Sequence, residues 1–161
     1  TGVVTSDDNL GSVRYLQDAT AGIALYPGAD WSDWDATPAI GDSLTVTGEI
    51  TEYNGLLEVG PNLSAVTFQG TGMVPEPQVV LPSALGEGLE GELVRINGVT
   101  FPLAGQEITA NTYDFTADGE TGIIYVRNSN SLYNIVILKD ILRSPRKRIW
   151  NFVTSFGLKK I

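Results

Sequence analysis

The sequence predicts an all-β protein built from two tandem copies of one small barrel-like unit. Short runs of β-branched and aromatic residues recur between Gly, Asn, Asp and Pro, whereas apolar residues at helical spacing are scarce. One motif occurs twice, because Asp18 precedes Gly22-Ile23 and Asp118 precedes Gly122-Ile123 at the same three-residue gap. The chain has 161 residues, 42% of them hydrophobic, which is enough for one large domain or two small ones.

The first unit is predicted over residues 1–69. GVVTS at 2–6 is a short strand, and 14–17 with 22–26 form a hairpin around the turn DATA. Residues 27–42 are a loop or a short helix. SLTVTGEITEY at 43–53 alternates apolar and polar residues as a half-buried strand does, Asn54-Gly55 marks a hairpin turn, and LLEVG with LSAVTF supplies the returning strand.

A Pro- and Gly-rich linker is predicted at residues 70–90, which hold three of the eight prolines. The strand pattern restarts in the second unit, residues 91–161, where GELVRINGVTF precedes the hairpin YDFTADGETGIIYV. WNFVTSFGLKKI aligns loosely with the long strands of the first unit, and residues 131–150 are either helix or an atypical closing element. The two repeated aspartates are predicted to cap amides of tight turns rather than to act as acids.

The order of these segments resembles the OB-fold, in particular the OB domains of bacterial secreted nucleases and multidomain surface proteins. The resemblance is carried by YLQDATAGIALY followed by GDSLTVTGEITEYNGLLEV, and it covers residues 1–68 best. It implies a five-stranded Greek-key barrel in each unit, with the second unit atypical. Strands 2 and 3 and their bracketing loops are the usual ligand face of that fold.

Composition excludes several chemistries. The chain has no His and no Cys, so it cannot build a Ser-His-Asp or Cys-His nucleophile system or an ordinary zinc site. No stretch approaches the roughly 20 apolar residues of a membrane helix, so membrane insertion is not expected. Oxygen ligands for Ca²⁺ or Mg²⁺ and paired carboxylates are what remain.

Charge is distributed unevenly along the chain. Residues 1–138 hold three basic and eighteen acidic residues, a net charge of −15, whereas residues 139–161 hold seven basic and one acidic, a net charge of +6. A polyanion would be repelled by most of the molecule and attracted to its C-terminal segment. There, Arg146, Lys147 and Arg148 are candidate phosphate-binding residues, and a solvated edge that pairs with the acidic first unit is the alternative.

Aromatic residues are the main candidates for ligand binding. If they lie exposed on an OB face they would stack nucleobases or sugar rings, with Arg14 beside them to neutralise phosphate. The alternative is that they fill the barrel or plug its end. The candidate set is Arg14, Tyr15, Tyr26, Trp31, Trp34 and Tyr53.

Four carboxylates lie close together in DWSDWDATPAIGD, and Asp30, Asp33 and Asp35 are candidate Ca²⁺ ligands. The spacing does not match an EF-hand loop, because no Gly follows Asp35, so a solvated acidic loop is the alternative. No cofactor is predicted, and Ca²⁺ is the ion that these carboxylates could hold if they bound one.

These observations predict a non-catalytic accessory binding module of a larger bacterial protein that is extracellular or at the cell surface. The resemblance implies single-stranded nucleic acid as the ligand. The alternative is a structural spacer or an adhesion module that binds protein or glycan, which the acidic balance favours. An enzyme is not expected, because nothing in the sequence sets two carboxylates at a catalytic separation.

Overall fold

The computed structural model describes residues 1–102, 111–126 and 135–138. Ten strands and three short 3₁₀ helices are found in that part of the chain. The strands are β1 (Gly2–Val4), β2 (Arg14–Gln17), β3 (Gly22–Leu25), β4 (Asp42–Tyr53), β5 (Leu56–Thr71), β6 (Gln78–Val79), β7 (Val94–Arg95), β8 (Asn111–Ala117), β9 (Glu120–Val126) and β10 (Ile135–Leu138). The 3₁₀ helices are Asp8–Leu10, Pro82–Ala84 and Glu87–Leu89. The all-β prediction is confirmed, and no helix among these residues is long and apolar enough to cross a membrane.

The first five strands form a closed barrel in the order β1-β2-β3-β5-β4. β2 and β3 pair antiparallel with Leu16 opposite Ile23, and β3 pairs parallel with β5. Antiparallel pairing of β1 with β4 closes the ring, with Gly2 opposite Leu44. This strand order is that of the five-stranded Greek-key barrel predicted for residues 1–69.

The long β4–β5 hairpin supplies two neighbouring walls of the barrel. Its tip is the predicted Asn54-Gly55 turn, in which both residues have positive φ, 53° and 90°. Register shifts next to Gly48 mark β-bulges, which let a long strand bend around the barrel. A Cβ at Gly48 would lie 2.8 Å from the Val59 side chain, so this bend requires glycine.

The barrel interior is a cluster of alternate residues from every strand together with one loop tryptophan. The buried members are Val4, Leu16, Leu25, Trp31, Leu44 and Val59. Because side chains in a strand alternate between faces, Tyr15 and Ala24 point out of the barrel.

The remaining described strands form two small sheets. β6 pairs parallel with β7, and β8, β9 and β10 form an antiparallel meander in which β9 is central. The segment 135–138, predicted as helix or as an atypical closing element, is therefore a strand. One bridge joins Thr100 to Thr116. A second closed barrel is not found in the described ranges, so the tandem second unit stays a prediction.

The repeated motif makes two different turns. Asp18 follows β2 in a four-residue turn, where its Oδ1 accepts hydrogen bonds from the Thr20 N–H (2.7 Å), the Thr20 hydroxyl and the Ala21 N–H (3.1 Å). These bonds lower the pKa of the Asp18 carboxyl, the Thr20 hydroxyl most strongly. Asp118 and Gly119 form a two-residue turn with φ of 52° and 79°. The predicted capping role of Asp18 is confirmed.

A second buried cluster, here named the shared core, joins the barrel to the rest of the described chain. Its barrel members are Leu10, Tyr15, Ala24 and Leu56, and its other members are Val80, Leu85, Val94, Ile96, Phe115, Ala117 and Ile124. Residues 70–90, predicted as a linker, thus supply two core side chains instead of running wholly over the surface. Burial of these apolar side chains, rather than the Pro and Gly content, determines how that segment packs.

Candidate functional site

The outer face of β2 and β3, which the resemblance implied as the ligand face, is covered by the chain itself. All four residues of β2 are buried. The Tyr15 side chain is 2% exposed and lies in the shared core beside Ala24. Gln17 Oε1 accepts a hydrogen bond from the buried Leu93 N–H at 2.8 Å. Tyr15 therefore has no face on which a base could stack in this structure.

Arg14, predicted to neutralise phosphate, has a structural role. The residue is 2% exposed. Its Nε donates to the Pro38 carbonyl at 2.8 Å, and one terminal nitrogen donates to the carbonyls of Gly11 (2.7 Å) and Val13 (3.0 Å). Burial lowers the pKa of the guanidinium, while the charges of Asp8 and Asp7 oppose that shift. The donors hold the loop backbone and are not presented to a ligand.

The two loop tryptophans lie against the barrel, as the alternative interpretation expected. Trp31 is 4% exposed in the barrel core, and its indole N–H donates to the Ser12 carbonyl at 2.7 Å. Trp34 is partly buried against the same cluster. They fill the barrel rather than forming an exposed stacking platform.

The acidic loop does not assemble a metal site. Asp30, Asp33 and Asp35 are all exposed, and Asp30 Oδ1 accepts a hydrogen bond from the Ser32 N–H at 2.8 Å. Hydrogen bonds from the Ser32 hydroxyl and N–H lower the pKa of the Asp30 carboxyl. Across residues 1–102, 111–126 and 135–138, no three His, Cys, Asp or Glu side chains are grouped so that they could hold a metal ion. The geometry therefore supports the solvated-loop alternative.

Exposed apolar side chains collect at one end of the β4–β5 hairpin. We name this region the hairpin tip and define it by Tyr53 (63% exposed), Ile50 (56%) and Leu57 (45%). Ile50 and Leu57 share one face of the hairpin, and Tyr53 lies on the other. Tyr53 directly precedes the Asn54-Gly55 turn, and Leu57 lies opposite Glu52 in the ladder. Tyr26, at the end of β3, is half-buried and donates its backbone N–H to the Val59 carbonyl. Of the predicted aromatic set, Tyr53 is the member with a free ring surface.

Two carboxylates near the hairpin tip are shielded from solvent, Glu58 almost fully and Glu90 partly, and neither was predicted from the sequence. Burial raises the pKa of Glu58, and a hydrogen bond from Thr51 opposes that shift. Burial also raises the pKa of Glu90, whose Oε2 accepts a hydrogen bond from the Leu57 N–H at 3.4 Å, and the nearby charge of Glu52 adds to the increase. The available signal was the alternation of β5, because Glu58 shares a face with the buried Leu56.

The described part of the chain carries a strongly negative net charge. The described residues include two basic side chains, Arg14 and Arg95, and seventeen acidic ones. The predicted phosphate-binding residues Arg146, Lys147 and Arg148 lie outside the described residues. A ligand approaching the described surface therefore meets a field that repels phosphate.

Comparison with known proteins adds one relative. The chain is 34% identical over 107 residues to a Bacillus subtilis (strain 168) protein named Endonuclease YhcR, and the match covers 59% of this chain and 8% of the relative. No family model matches the chain. No solved structure matches it.

This relative corrects one prediction. The sequence predicts no enzyme, but the matched protein is named an endonuclease. The prediction that the chain is not an enzyme is therefore contradicted, and the match favours a nuclease-related chain. A five-stranded barrel with a nuclease relative agrees with the predicted resemblance to OB domains of secreted nucleases.

Proposed function

We propose that this chain is a nucleic-acid-binding part of a longer nuclease-type protein that acts outside the cell or at its surface. The observation that carries the proposal is the 34% identity to a protein named an endonuclease. The closed barrel supports it, because barrels with this strand order commonly bind oligonucleotides. Single-stranded nucleic acid is the proposed ligand, since unpaired bases expose the faces that aromatic side chains stack on.

The hairpin tip is the surface proposed to receive the strand. In OB barrels the loop between strands 4 and 5 takes part in ligand binding alongside the face of strands 2 and 3. Here that face is covered by the shared core, whereas Tyr53 in the β4–β5 loop region is 63% exposed. Tyr53 would stack one base, whereas Ile50 and Leu57 lie on the opposite face of the hairpin and are not assigned a contact with that base.

Phosphate contacts are assigned to the basic C-terminal segment. The described surface repels phosphate, so stacking at the hairpin tip must be joined by cations from elsewhere. Arg146, Lys147 and Arg148 are a run of three consecutive basic residues in the chain. Binding would then weaken as salt is added, in proportion to the number of phosphates neutralised.

A direct test is fluorescence anisotropy of a fluorescein-labelled single-stranded oligonucleotide titrated with the full chain. Tyr53→Ala should weaken binding by roughly 5- to 150-fold, the range that one base-stacking contact contributes. Met73→Ala is the matched control, because Met73 is 90% exposed and follows the opposite end of the β4–β5 hairpin. Equal affinity of the Tyr53 variant and the parent chain would refute the assignment to the hairpin tip.

A spacer or an adhesion module that contacts protein or glycan is the second candidate. Two observations favour it: the net charge of −15 over residues 1–138 and the covered face of β2 and β3. If the parent chain binds no oligonucleotide at low salt, where electrostatic attraction to the basic segment is strongest, the binding proposal fails and this candidate takes its place.

A further inference from the structure

A cavity outside the hairpin tip opens beside the turn of the β8–β9 hairpin. Its volume is about 410 Å³, and it is lined by Val79, Val80, Leu81, Asn97, Gly98 and Asp118. Val80 is buried in the shared core, whereas Val79 and Leu81 are 58% and 45% exposed. The cavity therefore reaches from the core to solvent, and its size falls within the range typical of small-molecule sites.

The residues that line the cavity are mostly apolar and include two polar ones, Asn97 and Asp118. A carboxylate such as that of Asp118 offers two acceptor oxygens, whereas the Asn97 amide offers both a donor and an acceptor. The described lining residues include no basic side chain. A phosphate is therefore a poor occupant, and a flat, neutral molecule with adjacent N–H donors is a good one.

We propose that this cavity binds the guanine base of a single-stranded nucleic acid, an inference that rests on the proposed function. The Watson–Crick edge of guanine presents adjacent N1–H and N2–H donors, which match the two oxygens of a carboxylate, and the O6 acceptor beside them can take the amide N–H of Asn97. The branched side chains of Val79 and Leu81 would contact the faces of the ring. Other bases lack two adjacent donors on that edge, so Asp118 selects guanine.

The two polar residues are fixed by neighbouring backbone structure. Asp118 lies in a two-residue hairpin turn with Gly119, and Asn97 precedes Gly98, which has a φ of 66°. The Thr100 N–H donates to the Thr116 carbonyl at 2.8 Å and the Thr116 N–H donates back to the Thr100 carbonyl at 3.0 Å. These bonds tie the segment after Asn97 to the strand that ends at Asp118. Because the backbone at both residues is ordered before binding, it adds little to the entropy cost of binding.

The test measures base preference in the full chain. Anisotropy is recorded with a fluorescein-labelled oligothymidine and with the same strand carrying one central guanine. The guanine strand should bind more tightly, on the order of tenfold, which is the effect of one good bidentate contact. Asp118→Asn should abolish the preference, because it replaces one acceptor oxygen by a donor. Asparagine tolerates the positive φ of this position, so the fold should be retained.

Asp114→Asn is the matched control for charge. Asp114 is exposed on the same hairpin and does not line the cavity, yet its substitution removes the same negative charge. The preference for guanine should persist in this variant. Equal binding of the two strands by the parent chain, or a preference that survives Asp118→Asn, would overturn the proposal.

A separate arm distinguishes failure of the cavity from failure of the proposed function. If no oligonucleotide binds, the function proposed above fails, and guanosine alone is titrated while the amide resonances of Gly98 and Gly119 are followed by NMR. Saturable shifts that thymidine does not cause, and that Asp118→Asn removes, support a guanine site for free nucleosides. If guanosine causes no shifts, or if methylguanidinium causes larger shifts than guanosine does, the guanine proposal is overturned. Larger shifts with methylguanidinium would assign the cavity to a basic side chain of a protein partner.

Discussion

The backbone contact between Gly22 and Gly91 offers the sharpest test of the shared core. An ideal Cβ at Gly22 would lie 2.6 Å from the Glu92 nitrogen and closer still to the Gly91 carbonyl. Ordinary contacts begin at 3.4 Å, so the Glu92 nitrogen alone would have to move by roughly 0.8 Å, and the nearer Gly91 carbonyl by more. Neither partner atom belongs to a flexible side chain, and the strain cannot be relieved by a change of rotamer.

The expected cost of Gly22→Ala is about 2–3 kcal/mol of the free energy of unfolding. Overpacking typically costs ~1–3 kcal/mol. Moving the two backbones apart also weakens the neighbouring contacts, which lose between a quarter and a half of their dispersion energy, so the upper part of that range is expected. For a chain of this length that corresponds to a decrease in Tm of about 4–12 °C. Urea denaturation followed by circular dichroism measures the first quantity, and a thermal scan measures the second.

Gly86→Ala is the control for Gly22→Ala. Gly86 has an extended φ of 178°, and a Cβ there would meet nothing within 4 Å. Its substitution should change stability by less than about 1 kcal/mol, with stabilisation the expected sign. Amide hydrogen exchange should rise in the segment around Gly91 for the first variant and not for the second. Equal stability of the two variants would refute the close packing of the barrel against residues 80–96.

Three further predictions concern charge. Burial raises the pKa of Glu58 above its ordinary 4.5, so the folded state binds this proton more tightly than the unfolded state. The contribution of Glu58 to stability is therefore fully present below pH 4.5 and is lost as pH rises through the folded pKa, which adds a fall in stability toward neutral pH. Glu58→Gln should flatten this fall in Tm between about pH 4 and 7, and an unchanged slope would contradict it. Arg14→Lys should cost about 2 kcal/mol of stability, because hydrogen bonds from a charged group to the loop carbonyls are lost, yet should leave oligonucleotide affinity within about twofold. Measured affinity that falls tenfold while stability is unchanged would restore a ligand role to Arg14. Replacing Arg146, Lys147 and Arg148 by Gln should make the slope of log K against log salt shallower by about 2, and an unaltered slope would exclude these residues from phosphate contact.

Local signals allowed most of the barrel to be predicted from sequence. The bounds of β2 were predicted as observed, and those of β3 and β4 to within one residue, because turn residues such as Asn54-Gly55 fix where strands end. The role of Asp18 followed from the same turn chemistry. LLEVG and LSAVTF were predicted together as the returning strand, and the structure makes them one sixteen-residue strand, β5, which continues through Pro61.

Long-range burial could not be predicted in the same way. Both faces of β2 are buried, so alternation could not indicate whether Tyr15 faces a ligand or another part of the chain. The same limit applies to Arg14, since a lone cation in a sequence gives no sign of the carbonyls that surround it. The cavity at Asp118 brings together residues from three separate segments, and its turn signal predicted only the local backbone.

Because of the shared core, the boundary of the barrel depends on whether hydrogen bonding or hydrophobic burial defines it. In hydrogen bonding the barrel is complete by Thr71, because every one of its strand pairings closes within residues 2–71. In hydrophobic burial it is incomplete until Ile124, since Tyr15, Ala24 and Leu56 are covered by side chains that come later in the chain. A fragment that ends after β5 would still form its strand pairings but would expose the hydrophobic surface around Tyr15, Ala24 and Leu56 to water. Exposed hydrophobic surfaces of this kind promote self-association. A minimal monomeric fragment should therefore extend beyond Ile124.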